Sequence, residues 1–287
     1  MSTSFSSAET PREQHYRRGL ITELSYELVP LGSLPGAVSA LPGSSTVSIT
    51  CSPVKGIGET MRITDQVRAL GHRVTPHLSA RLVESPEHVV AIARWLRSEA
   101  IDGVFIVGGD AEQPRGPHHD AFGFLQALLD AGPGLTTVGV TSYPDGHPVI
   151  GAEVLQQALA AKQALLAEAG LHGYAVTQLC FDPAKISNWL HDERQAGLTL
   201  PVHLGIAGAV DPAKLMATGM RLGVGASLRY LRKNRAAVGK LLTTRHYNPD
   251  ELLGALTPVL EPYGITGLHS FTFNQVEATA RWQHEAG

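Results

Sequence analysis

The segment Tyr174-Ala-Val-Thr-Gln-Leu-Cys-Phe-Asp182, followed by Pro183, is one complete strand-to-helix transition. Its apolar first half is typical of a buried β-strand, and Asp182 ahead of a proline is typical of a capping residue at a helix start. Gln178 lies between them, as a polar group at the predicted strand end. The segment therefore predicts a βα unit whose junction could contact a ligand.

Similar units recur along the chain. Ser85, Asp211 and Asn248 each also precede a proline, which places a capping side chain ahead of a favourable first helical residue. Strand-like runs lie near residues 24–29, 46–50, 73–78, 103–107, 136–141, 173–179, 202–206 and 266–271. Helical patterns lie near residues 59–70, 86–99, 120–129, 152–169, 183–196, 211–219 and 249–263. Eight alternating units in about 250 residues predict an α/β fold, a (β/α)8 TIM barrel, whereas a doubly wound sheet has about six strands.

We expect this barrel to form a single domain over residues 20–287, because no linker rich in Gly, Ser or Pro divides the chain. Residues 1–19 are rich in Ser, Glu, Arg and Gln without apolar periodicity, and we predict that they form a disordered N-terminal tail. Between residues 31 and 45, Pro and Gly leave little room for a first helix.

Composition narrows the class of protein. The net charge of -3 predicts no general affinity for nucleic acid or anionic membranes, and the short basic cluster at 229–235 is interpreted as a solvated helix face. No apolar run approaches the roughly 20 residues that span a bilayer. Two cysteines and a start without a secretory signal favour the cytoplasm. The sequence does not indicate an oligomeric state.

Glu27 lies in an otherwise apolar predicted strand. A carboxyl group that faces a barrel interior is poorly solvated, which favours its protonated form and would let it donate a proton. The alternative is a Glu on the solvent side of an edge strand.

Two other polar residues end predicted strands. Asp110 follows Gly108 and Gly109, which allow a sharp turn and a close approach to a ligand; the alternative is that Asp110 caps a turn or a helix. Gln178 both donates and accepts hydrogen bonds, which suits a ring edge with mixed donors and acceptors, although it could equally belong to an ordinary polar strand face.

Thr50, His77, Tyr143 and His147 also lie at or just beyond strand ends, and together they could line a cofactor cleft. Single histidines are more often ordinary core or surface residues. The run 118–120 offers two histidines and an aspartate as metal ligands, but adjacent side chains diverge and a third spaced ligand is missing. We therefore predict no metal centre.

Several of these segments form longer motifs. They are Ser25-Tyr-Glu-Leu-Val-Pro30, Gly108-Gly-Asp110, Ser142-Tyr-Pro-Asp-Gly-His-Pro148, Thr177-Gln-Leu-Cys-Phe-Asp182 and Gly267-Leu-His-Ser-Phe-Thr-Phe-Asn274. Together they resemble the methylenetetrahydrofolate reductase family over about residues 26–274. The resemblance implies an oxidoreductase of one-carbon metabolism that serves methionine biosynthesis and acts on a small-molecule folate.

The resemblance also implies roles for individual residues. Glu27 matches the acid that protonates the folate as its methylene bridge opens to an iminium ion. Asp110, Gln178 and Phe271 match contacts to the folate. The residues expected around the hydride donor are Thr50, His77, Tyr143 and His147.

The chain departs from the family pattern where a flavin diphosphate would bind. Gly108 stands where an Arg is usual, and the helix at 152–168 has a single lysine, Lys162, out of register. Each missing charge-assisted hydrogen bond costs about 1.5 to 3 kcal/mol, so we expect FAD to be absent or weakly bound. At the folate end, a Pro at Gly208 and an Arg at Gln275 are lacking, for which Lys214 or Arg221 could compensate.

These departures are similar to the flavin-independent actinobacterial branch, in which NADH or NADPH gives its hydride directly to the folate. Two alternatives remain open. The chain could be an ordinary FAD-dependent reductase, or a paralogue that binds folate or a nucleotide without turnover. The sequence does not distinguish NADH from NADPH, because it lacks a dinucleotide-binding fingerprint.

Overall fold

The computed structural model describes residues 9–221 and 246–287, with side chains described to residue 218 in the first range. In this part of the chain, eight parallel strands close into one barrel in chain order, β1 to β8. The strands are β1 Ser25–Leu28, β2 Thr46–Ile49, β3 Arg73–Ser79, β4 Gly103–Val107, β5 Thr137–Ser142, β6 His172–Thr177, β7 Val202–Ala207 and β8 Ile265–Phe271. The pairing of β1 with β8 closes the ring, so the predicted (β/α)8 barrel is confirmed.

Helices surround the barrel. They are α1 Pro11–Thr22, α2 Leu34–Ser39, α3 Gly56–Ala69, α4 Pro86–Ser98, α5 Ala121–Asp130, α6 Ala152–Glu168, α7 Pro183–Gln195, α8 Pro212–Arg221, α9 Asp250–Leu260 and α10 Val276–Ala286. None of these described helices is both long and apolar enough to cross a membrane. The basic cluster at 229–235 and the side chain of Arg221 lie outside the described residues.

The predicted helix caps are mostly confirmed. Ser85 accepts a hydrogen bond from the backbone of His88 at 3.3 Å, and Asp182 and Asp211 cap α7 and α8 in the same way. Asn248 accepts from the backbone N–H of Asp250 at 2.9 Å, but the helix begins one residue later than predicted. Short polar side chains ahead of proline thus mark where these strands give way to helices.

The prediction of a disordered tail over residues 1–19 is wrong for residues 11–19, which belong to α1. Thr10 and Glu13 form a capping box at its start, in which each side chain bonds the other residue's backbone N–H. Residues 1–8 lie outside the described part of the chain. The folded domain therefore begins before residue 20.

Helix α1 packs over the N-terminal ends of the strands. The Tyr16 hydroxyl donates to the carbonyl of Ile265 at 2.7 Å, and Leu20 and Ile21 are buried. Only the C-terminal end of α1 is apolar, so residues 11–19 show no helical apolar periodicity in the sequence. Helices α2 and α10 were likewise not predicted, and α2 fits six residues into the Pro- and Gly-containing segment after β1.

Aromatic rings fill part of the barrel interior, and a glycine makes room for them. The rings of Tyr174 and His203 stack with centroids 4.4 Å apart. A Cβ atom on Gly139 would lie 2.5 Å from the Phe105 ring and 2.6 Å from the Tyr174 ring, well inside van der Waals contact. Gly139 is therefore needed for the close approach of both rings.

Candidate active site

Glu27 points into the barrel. Its neighbour Tyr26 points the other way, since the Tyr26 hydroxyl donates to the Gln283 side chain on α10. Successive side chains of a strand alternate between faces, so the Glu27 carboxyl lies inside, with its side chain only 10% exposed. A closed barrel has no edge strand, which removes the alternative of a solvent-facing Glu.

Strand β8 and the residue that follows it hold Glu27 in place. Nε2 of His269 lies 3.0 Å from Oε2 of Glu27, and the Thr272 hydroxyl donates to the Glu27 carbonyl at 2.5 Å. In the described part of the chain, the other carboxyl oxygen of Glu27, Oε1, has no hydrogen bond. One oxygen is therefore fixed, and the other is available to a ligand.

His77 enters the same space from β3. Its ring packs on Phe105 with centroids 4.6 Å apart, and burial lowers the pKa of His77 well below its usual value, with a smaller effect in the same direction from His269. Its Nε2 is buried without a hydrogen-bond partner among the described residues. One ligand atom from each of Glu27, His77 and His269 lies within 4.8 Å of the others, close enough to hold one metal ion.

His77 was expected to line an open cofactor cleft, but the structure buries it, with only 5% of the residue exposed. It belongs to a deep group of buried residues, namely Glu27, His77, His269 and Phe271. The ring of Phe271 lies 5.1 Å from that of His269, edge to face. Phe271 also packs into an apolar cluster with Phe181, Tyr247 and Phe273.

A second, more exposed group lies on the rim. The rings of Tyr143 and His147 meet edge to face at 5.3 Å. Burial raises the pKa of Tyr143, and the nearby Asp110 charge acts in the same direction; burial lowers the pKa of His147, and Asp110 opposes that shift. The structure thus brings together three predicted site residues from the ends of β4 and β5.

Backbone geometry positions Asp110 on this rim. Gly109 has φ of +94°, a left-handed conformation that favours glycine, so the chain turns sharply after β4. Helix α5 begins only at Ala121 and is capped by Asp120, so Asp110 is not its cap. Arg81 braces the loop by donating to the carbonyls of Ala111 and Glu112 at 2.7 and 2.6 Å.

Gln178 and Thr50 also lie directly beyond their strands. The Gln178 side-chain oxygen accepts from the Leu179 backbone at 2.7 Å, which leaves its NH2 group as the donor toward a ligand. The Thr50 N–H donates to the carbonyl of Leu28 at 3.0 Å, and its carbonyl accepts from the Thr60 hydroxyl at 3.3 Å. Both side chains are half-buried at the C-terminal ends of the strands.

Two residues were missed as parts of the site. His269 contacts Glu27, and Asn274 fixes the segment after Glu27: its Nδ2 donates to the Val29 carbonyl at 2.9 Å and its Oδ1 accepts from the Val29 N–H at 2.9 Å. Both come from β8 and the turn after it, 242 or more residues away from their partners in sequence. The Gly267–Asn274 motif was the only signal for them.

The cationic side chains considered for a diphosphate or a folate tail have the following surroundings. Lys162 is buried on α6, where burial lowers its pKa to about 8 and the Asp120 charge partly opposes the shift. Lys185 forms an ion pair with Asp145, and Arg81 is bonded to loop carbonyls. Lys214 lies in the first turn of α8, where its N–H donates to Asp211.

The His118–Asp120 run has a structural role. The His118 ring packs on Phe124 with centroids 5.6 Å apart, and Asp120 accepts from the Gly123 backbone at 2.9 Å.

A groove of about 540 Å³ lies at the opposite end of the barrel, near Glu23 and Arg73. We place the site at the C-terminal ends, where barrel enzymes carry their chemistry and where the polar groups converge. No protein-family model matches the chain.

Proposed function

We propose that this protein reduces 5,10-methylenetetrahydrofolate to 5-methyltetrahydrofolate, with hydride taken directly from NADH or NADPH and without a resident flavin. The observation that supports it best is the Glu27 carboxyl, buried inside the barrel with one oxygen bonded to His269. The proposal also relies on the motifs that resemble methylenetetrahydrofolate reductase. Fold alone would not carry it, since barrels of this type host many reactions.

Glu27 is the proton donor in this proposal. As the methylene bridge opens, its proton goes to the departing bridge nitrogen, and the electron pair of the other nitrogen forms the iminium ion. Hydride from the reduced nicotinamide then adds to the iminium carbon and gives the methyl group and NAD(P)⁺. The bond from His269 to Oε2 orients the carboxyl, so that Oε1 faces the folate.

Asp110 and Gln178 recognise the pterin. A carboxylate accepts hydrogen bonds from the N–H groups of the ring, and the NH2 group of Gln178 donates to a ring acceptor. Asp110 is exposed at the end of β4 and Gln178 is half-buried at the end of β6, so the pterin would bridge the mouth between them.

The hydride donor binds beside Tyr143, His147 and Thr50, on the same rim. Apolar side chains extend from the loops there, with Val54 88% and Val149 84% exposed. Such side chains suit the flat faces of a nicotinamide stacked on a pterin. Direct transfer requires both rings to bind at once.

The electrostatics of the rim favour a transient donor over a resident flavin. Nanomolar binding needs about 12 kcal/mol and micromolar binding about 8 kcal/mol, a difference of about two charge-assisted hydrogen bonds. Gly108 offers no side chain to a diphosphate, Lys162 is buried, and Lys185 is paired with Asp145. With these cations unavailable to a diphosphate, the rim is better suited to a weakly held co-substrate than to a tightly bound flavin.

The test is a steady-state assay of folate-dependent NADH and NADPH oxidation, with the visible spectrum recorded first. Glu27→Gln keeps the size and the possible bond to His269 but cannot donate a carboxyl proton, so kcat should fall about 100-fold or more with folate binding largely retained. Glu168→Gln, on the exposed end of α6, is the matched control and should be unchanged.

Other outcomes would decide against the proposal. A yellow protein with stoichiometric flavin would identify an ordinary flavoenzyme. If wild type and Glu27→Gln were equally inactive while both bound folate, the protein would be a binding paralogue. Full activity in Glu27→Gln would remove Glu27 from the mechanism.

A further inference from the structure

We propose that Glu27, His77 and His269 form a binding site for a divalent transition-metal ion such as Zn²⁺, and that an ion bound there inhibits the protein. The binding is independent of the function proposed above. The inhibition rests on that function, because it assigns the same carboxyl group as the proton donor.

The donor atoms are already assembled. One ligand atom from each residue lies within 4.8 Å of the other two, and Oε2 of Glu27 lies 3.0 Å from Nε2 of His269. Around a tetrahedral zinc ion with bonds of about 2.0 to 2.2 Å, ligand atoms are about 3.3 to 3.6 Å apart. Small side-chain rotations, on the order of 1 Å at the ligand atoms, would therefore complete the geometry.

A second observation, independent of the distances between the ligand atoms, also points to a bound ion and concerns His77. Its Nε2 is buried and has no hydrogen-bond partner among the described residues, whereas the pair of Glu27 and His269 is satisfied without it. Buried polar atoms without partners are uncommon in folded proteins and point to a bound water, ion or ligand. An ion shared with Glu27 and His269 would give this nitrogen a partner.

The type of ligand identifies the class of ion. Two imidazoles and one carboxylate match the ligands of zinc sites that keep a fourth position open, whereas Mg²⁺ and Ca²⁺ prefer oxygen ligands alone. All three side chains are buried, so the ion would exchange water for protein ligands in a largely dry space. The barrel mouth is the direction from which it would enter.

Occupation of this site would prevent acid catalysis. A carboxylate that coordinates a metal through its oxygen is deprotonated, and therefore has no proton for the bridge nitrogen of the folate. The ion would also occupy the space into which the folate must bring that nitrogen. Metal binding and folate turnover are thus expected to exclude each other.

The experiment titrates Co²⁺ into the full-length protein after chelator treatment, with visible absorption as the readout and Zn²⁺ as the competitor. We expect one Co²⁺ per chain with the intense spectrum of a low-coordinate site. His77→Gln and Glu27→Gln should each weaken binding about 100-fold or more, since even outer-shell partners of metal ligands contribute about 10- to 100-fold. Circular dichroism and thermal melting check that both variants fold.

The variant His119→Gln is the control, because it removes an exposed imidazole and should leave Co²⁺ binding unchanged. Binding that survives in His77→Gln, or that is lost only in the control, would overturn the site. Zn²⁺ should inhibit folate reduction reversibly. If Co²⁺ binds through the cluster but no reductase activity exists, the proposed function fails alone; if activity exists without cluster-dependent Co²⁺ binding, the metal site fails alone.

Discussion

Replacing Lys162 with methionine should stabilise the protein at neutral pH. Lys162 is 5% exposed on α6, and burial lowers its pKa from 10.5 to about 8, with the Asp120 charge partly opposing the shift. The difference between these two pKa values corresponds to about 3 kcal/mol. Methionine retains an unbranched chain of similar shape and removes the buried charge. The variant should therefore gain up to about 3 kcal/mol in free energy of unfolding at pH 7.

The gain has a defined pH dependence. Below about pH 8 the lysine is protonated in both states, so the whole cost of burying its charge is present. Between about pH 8 and 10.5 the folded protein has released the proton and the unfolded chain still binds it, so wild-type stability rises with pH. The advantage of the variant should fall to about 1.4 kcal/mol at about pH 9.5 and disappear above about pH 10.5.

Urea unfolding of wild type and Lys162→Met at the two pH values measures both quantities. The matched control is Lys55→Met, which removes an exposed lysine whose Nζ lies 3.4 Å from Glu59 and should change stability by less than about 1 kcal/mol. Loss of stability in Lys162→Met at neutral pH would refute the reasoning. An equal gain at both pH values would show that the effect arises from packing and not from the charge.

Two further substitutions test the barrel and the site. Gly139→Ala should destabilise the protein by about 1 to 3 kcal/mol in urea unfolding, because its Cβ would lie 2.5 Å from Phe105, whereas Gly58→Ala on exposed helix α3 has open space and should not destabilise it. Asn274→Ala should lower kcat and stability together, because it removes the bonds to Val29 and Ser33 that fix the chain after Glu27; unchanged kinetics would show that this brace is not needed for activity.

Much of the fold could be predicted because its signals are local. Asp182 ahead of a proline predicts the start of α7 from adjacent residues, and the structure places a capping hydrogen bond there at 3.0 Å. Helix α1 carries the same local signal, because Thr10 precedes Pro11 and forms a capping box with Glu13, but it lacks a helical apolar pattern. Its position is set by its buried C-terminal end and by the bond from the Tyr16 hydroxyl to the carbonyl of Ile265 on β8. That contact depends on closure of the barrel, which adjacent residues do not encode.

The candidate site was also predictable only in part, because some of its contacts form only when the barrel closes. The alternation of Tyr26 and Glu27 predicts that one side chain faces inward, but the sequence alone does not say which. Pairing of β1 with β8 decides it, and brings His269 to the carboxyl of Glu27 across 242 residues of sequence. The approach of His77 to Glu27 likewise depends on the curvature of the sheet. The sequence therefore did not show that these three candidate ligands lie together.

A buried carboxyl group needs partners, and this requirement links the two proposals for Glu27. His269 satisfies one carboxyl oxygen, while Oε1 of Glu27 and Nε2 of His77 have no hydrogen bond within the described residues. Leaving a fully buried atom such as Nε2 of His77 unpaired costs about 1 to 3 kcal/mol, so a ligand that pairs with it gains that energy on binding. A folate nitrogen and a metal ion would both approach the Glu27 carboxyl in this space. The two ligands would therefore compete for one carboxyl group.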